Sequence, residues 1–74
     1  MKLDRITVDP KRMNGQPCIR HLRLTVKRVL EAMALYGPAE LKKEYPELEE
    51  EDCRQALLYA AHGIEDKNIE TSVA

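Results

Sequence analysis

Cysteine is scarce in this sequence, long hydrophobic runs are missing and net charge is almost nil; each shortage closes off a class of protein. Two cysteines, Cys18 and Cys53, are too few for a disulfide framework and fit a reducing compartment. The longest mainly apolar stretch, Ala56 to Ala61, is far too short to span a bilayer. The opening Met1-Lys2-Leu3-Asp4-Arg5 runs into alternating polar and apolar residues, without the continuous apolar region of a secretory leader. No internal repeat or low-complexity segment stands out. These features predict a soluble, cytoplasmic protein with no membrane partner. A chain of 74 residues makes one domain at most. A domain of that size buries only about 60% of the surface its unfolded form exposes, and such cores usually need a disulfide, a metal or a partner subunit. A homodimer is the expectation.

The formal net charge is -1, but its distribution is lopsided. Up to Arg28, eight basic residues face two acids, which leaves plus six. Beyond Arg28, four basic residues face eleven acids, which leaves minus seven. Such asymmetry points to a polyanionic or acidic partner for one half and a basic partner for the other. The plainer alternative is that the two halves attract each other within a dimer.

Arg5-Ile6-Thr7-Val8 alternates with period two and ends at Asp9-Pro10, the pattern of a short strand closed by a turn. Asn14-Gly15 marks a turn, since both residues tolerate positive φ. Leu22, Leu24 and Val26 then alternate with His21, Arg23 and Thr25, which predicts a second strand. Thr25 is placed to cap a first helix, over about 25–36, whose stripe is Val26, Val29, Leu30, Met33 and Gly37. Gly37 suits a left-handed helix end, and Pro38 the first position of a second helix, 38–45. A third helix, 49–62, opens on Glu49, Glu50, Glu51 and Asp52, where the helix dipole favours negative charge. Leu48 and Cys53 would staple its start. Its expected core stripe is Cys53, Ala56, Leu57, Ala60 and Ile64, with Leu58 and Tyr59 left for a partner. Residues 65–74 are expected to form a flexible tail.

Catalytic chemistry finds little support. Cys18 and His21 stand three apart, but Cys53 and His62 are nine apart on one helix, roughly 13 Å by the usual rise, so no zinc set assembles. The acid cluster lacks the glycine and ligand spacing of a calcium loop. The chain also lacks the size to enclose a substrate pocket. No enzyme, metal site or cofactor is expected.

Nucleic acid fits better. The second and third helices have helix-turn-helix proportions, with the first helix in support. The start of the third helix, which would ordinarily enter the major groove, carries four carboxylates that phosphates would repel. The expected DNA contacts are therefore Lys11, Arg12, Arg20, Arg23, Lys27 and Arg28, on a two-stranded ribbon and the helix after it. The expected partner-protein contacts are Glu50, Glu51, Arg54, Leu58 and Tyr59.

Arg5-Ile6-Thr7-Val8-Asp9-Pro10, then Gly15-Gln16-Pro17-Cys18-Ile19-Arg20 and Arg23, resemble the signature of the domain-of-unknown-function family 433. Tyr45-Pro46-Glu47-Leu48, Glu51-Asp52 and Ala56-Leu57-x-Tyr59-Ala60 are similar to that family's last helix. The chain departs from the pattern at His21 and Leu22, where glycine and threonine are usual, at Thr25 in place of proline, and at the cap Glu49. A positive φ at His21 would cost about 1 kcal/mol. The resemblance implies a helix-turn-helix-like fold. It also implies a role like that of VapB-type antitoxins, which pair with a PIN-like ribonuclease toxin and bind operator DNA. The expectation is thus a mainly α, small α+β domain spanning 1–64, with a β ribbon within 1–24 and three helices. Its expected role is that of an antitoxin-like regulator. The alternative is a protein-interaction or dimerisation module without DNA binding.

Overall fold

The computed structural model describes residues 2–64; the expected tail, 65–74, lies outside the described residues. Two short strands, β1 (Ile6–Thr7) and β2 (Cys18–Ile19), pair antiparallel, with Ile6 opposite Ile19 and Thr7 opposite Cys18. Three helices follow: α1 (Val26–Leu35), α2 (Pro38–Glu44) and α3 (Glu50–His62). The architecture is mainly α with a small N-terminal ribbon.

The loop between the strands tightens at Met13, Asn14 and Gly15, with φ of 50°, 60° and 78°. The second strand lies earlier than the alternation at Leu22 to Val26 predicts. Arg20 has φ of 48°, and a left-handed residue cannot continue an extended strand. The chain therefore turns, with the Leu22 amide donating to the Ile19 carbonyl at 2.9 Å, and meets the ribbon again only at a Cys18–Thr25 bridge. Positive φ falls on Arg20 and not on His21, so the departure from glycine at His21 carries no backbone penalty.

Thr25 caps α1: its hydroxyl accepts the Arg28 amide at 3.1 Å. Gly37 does not take the expected left-handed position. It is extended (φ -73°, ψ 170°) and serves as the N-cap of α2, ahead of Pro38. The core gathers Ile19, Val26, Val29, Leu48 and Ala56, with Ile6, Leu22, Leu24, Leu30, Met33, Leu41, Tyr45 and Cys53 packed around it.

The inward face of α3 differs most from the sequence pattern. Its buried residues are Asp52, Gln55 and Ala56. Leu57 and Ile64, expected in the core, are 51% and 59% exposed. The cause is polar. Asp52 is fully buried and accepts from the guanidinium of Arg20 at 2.7 Å and 3.1 Å, from Arg5 at 3.1 Å and from the Glu49 amide at 2.9 Å. Gln55 accepts the Arg5 amide at 2.8 Å and donates to Asp4 and Glu51. Turning these groups inward rotates Leu57, about 100° past Ala56 on a helix of 3.6 residues per turn, toward solvent.

A buried ion pair that loses one partner leaves the other charge uncompensated. Asp52→Asn should therefore lower folding stability by about 3–5 kcal/mol in urea unfolding, most of what a domain this small possesses. Arg20→Gly and Arg20→Ala both delete the guanidinium, but only glycine relieves the left-handed backbone. Arg20→Gly should be the more stable of the two by about 1 kcal/mol; equal midpoints would contradict the positive φ.

Candidate functional site

The six cations expected to meet DNA divide into two groups. Arg12 donates to the carbonyls of His21 at 2.9 Å and Leu22 at 3.3 Å, so it holds the loop after β2. Arg20 is spent on Asp52 and on the Glu47 carbonyl, which it meets at 2.8 Å. Both are half-buried supports of the fold. Lys11, Arg23, Lys27 and Arg28 are exposed. Lys27 and Arg28 stand in the first turn of α1, which contains no acid. Cations there oppose the helix dipole at a typical cost of about 0.3–1 kcal/mol each. Lys27 is only loosely paired, with Glu31 at 4.0 Å.

The acidic start of α3 is better compensated than its four carboxylates imply. Glu49 pairs with Arg5, Asp52 with Arg5 and Arg20, and Glu51 with Arg54 at 2.8 Å. Three arginines against four acids leave one net negative charge, and Glu50 has no ion-pair partner among the described residues. Burial by itself would raise the Asp52 pKa, but hydrogen bonds from Arg20, the Glu49 amide and Arg5 outweigh it and hold the group at about 2. Arg5 and Arg20 move the opposite way. Hydrogen bonds to Glu49 and Asp52 raise Arg5, and the hydrogen bond to Asp52 raises Arg20.

The expected partner contacts on α3 do not share one face. Glu50 and Arg54 are exposed and align with Leu57 and Ala61 at i, i+4, i+7 and i+11. Glu51 and Leu58 are half-buried on the flank. Tyr59 follows Asp52 by seven residues, two turns along the inward side, and is 37% exposed. Leu57 is the apolar member of the outward stripe that pattern reading assigned to the core. The signal for it was available: Leu48, Asp52, Gln55, Ala56 and Tyr59 also recur at helical spacing, but two of them are polar.

The cysteines and histidines stay apart in role. Cys18 is buried, its thiol donating to the Gln16 carbonyl at 3.4 Å, while His21 and His62 are exposed. Burial pushes the Cys53 thiol up, and the nearby Asp52 and Glu50 charges push it further. Among the described residues, no group of three or more metal-ligating side chains comes together, and no helix is long and apolar enough to cross a membrane.

The match that places the chain is to a family model described as "Protein of unknown function (DUF433)", over residues 6–60. The chain belongs to this family. The matched span takes in both strands, Arg20, all of α1 and α2, and Asp52, and begins one residue after Arg5. No curated protein and no solved structure matches the chain.

Asp52 also sets a pH expectation. Its folded pKa lies below the ordinary 3.8, so the ionised form favours the fold. The contribution, about 2 kcal/mol, is complete above roughly pH 4 and is lost as pH falls through about 2. Carboxyl-carbon NMR of the folded protein should show Asp52 titrating well below 3.8. An Asp52 midpoint at or above that value would contradict its ion pairs with Arg5 and Arg20.

Proposed function

We propose that this protein is an antitoxin-like regulator that acts by binding: DNA through Lys11, Arg23, Lys27 and Arg28, and a cognate toxin protein, of PIN-like ribonuclease type, through the outward side of α3. The observation that carries the reading is the pair of exposed cations at the start of α1. They stand where the helix dipole disfavours them, with no acid in that turn, and the positive potential they create suits phosphate. Arg12 and Arg20 serve this surface indirectly, by fixing the ribbon and loop that present Lys11 and Arg23.

Four cations per chain set a measurable scale. If each neutralises one phosphate, the logarithm of affinity should fall with the logarithm of salt concentration with a slope of about -3.6 per bound copy. That is a loss of roughly a hundredfold between 50 and 200 mM salt. Fluorescence anisotropy with duplex DNA from upstream of the chain's own gene tests this. Lys27→Glu with Arg28→Glu should abolish measurable binding while leaving the fold intact, because both side chains are exposed. Binding that is unchanged in that variant would refute the assigned surface. Arg20 is unsuitable for such a test, since changing it releases Asp52.

A second reading, a protein-interaction module without DNA binding, draws on the loss of Arg12 and Arg20 from the available cations. It is favoured if no salt-dependent DNA binding is found and a co-purifying protein protects Glu50, Arg54 and Leu57.

A further inference from the structure

We propose that Asn14 is a self-modifying site. Its side-chain amide converts to aspartate and isoaspartate by attack of the Gly15 backbone nitrogen, in a reaction that the folded loop holds back and Arg12 governs. Asn14 is exposed, so water reaches its amide, and Gly15 has no side chain to crowd the attacking nitrogen. The other asparagine, Asn68, precedes the β-branched Ile69 and is hindered where Asn14 is not.

The chemistry needs no reagent but water. The Gly15 nitrogen gives up its proton and bonds to the Asn14 Cγ. The Cγ–Nδ2 bond breaks, and the side-chain nitrogen leaves as ammonia with that proton. Water then opens the five-membered ring. Cleavage at the side-chain carbonyl leaves aspartate; cleavage at the backbone carbonyl leaves isoaspartate, with the main chain rerouted through Cγ. Either product places a carboxylate in the loop that bears Lys11 and Arg12.

The fold opposes the first step in two ways. Asn14 stands at φ 60° and ψ 30°, which sets the Gly15 nitrogen nearly opposite Cβ about the Cα–C bond. The ring needs the two on the same side, so the Asn14–Gly15 peptide must swing round before it closes. That peptide is also tied down. The Gly15 amide donates to the Arg12 carbonyl at 2.8 Å, and the Gln16 amide to the Met13 carbonyl at 3.1 Å. The turn is braced by the Arg12 guanidinium on the His21 and Leu22 carbonyls, and by the Asp9 carboxylate, which accepts the Lys11 amide at 2.9 Å. Modification therefore proceeds from the opened loop, and its rate reads the opening equilibrium. Isoaspartate adds an atom to the main chain, so the turn cannot close again in the same register. This inference is independent of the DNA and toxin reading.

Peptide mapping of the full chain by mass spectrometry, after incubation at mildly alkaline pH, tests it. Asn14 should gain the mass difference between an amide and an acid, with isoaspartate as the larger product. Conversion should be slowest in the folded wild type and fastest in the chain unfolded by guanidinium chloride. Arg12→Ala should fall between them, about tenfold faster than the folded wild type, because it deletes hydrogen bonds from a charged group. Asp9→Ala should give a smaller rise, and serves where Arg12→Ala alters the circular dichroism. Equal rates in the folded and unfolded chains overturn the proposal, as does an unfolded chain that leaves Asn14 intact. Aspartate formed without isoaspartate would mean direct attack by water, and overturns it too. A folded Arg12→Ala chain that converts at the wild-type rate refutes the brake assigned to Arg12.

Discussion

A carboxylate removed from water needs its counter-charges close at hand, and Asp52 collects them from both strands of the ribbon, at the end where Arg5 and Arg20 lie side by side. Arg5 comes from the start of β1, Arg20 from the turn after β2, and the Glu49 amide from the cap of its own helix. Desolvating the charge is costly, so the arrangement holds only while all three donors are in place. The ribbon is too short to be stable by itself, with two residues in each strand. Its attachment to α3 through Asp52 and Gln55 gives it a fixed position, and with it the two loops that bear Arg12 and Arg23.

The same cluster decides which charges remain for partners. Arg5, Arg12 and Arg20 look like surface cations in the sequence and are internal supports in the fold. Glu49, Glu51 and Asp52 look like a repulsive acidic patch and are mostly compensated. Of the six cations expected to meet DNA, four stay exposed, on the ribbon loops and the start of α1, and α3 shows solvent a stripe of Glu50, Arg54, Leu57 and Ala61. Lopsided charge along the chain thus becomes local neutralisation between ribbon and helix, with the surplus at separate positions.

Much of the local structure was legible because it rests on local chemistry. Thr25 capping its helix, Asn14-Gly15 turning with positive φ, Pro38 opening α2 and Glu49 preceding α3 all depend on residues within one turn of each other. The failures share a different cause. The second strand was placed at Leu22 to Val26 because alternation cannot reveal that Arg20 is left-handed. Gly37 was given a left-handed end because glycine permits that conformation without requiring it. Leu57 was assigned inward because an apolar stripe is the usual mark of a buried face. That rule gives way when a satisfied ionic cluster occupies the interior instead.

From sequence alone came three helices, the caps Thr25 and Glu49, a preceding ribbon, the family resemblance and the segregation of charge, since propensity, capping and composition act over a few residues. Tertiary structure alone decided which arginines are spent and which are free, and which side of α3 meets solvent. Those outcomes depend on pairs such as Arg5–Asp52 and Arg20–Asp52, whose members lie 47 and 32 residues apart. No periodicity along the chain encodes a contact across such a separation, because it exists only once the ribbon has folded back against the last helix.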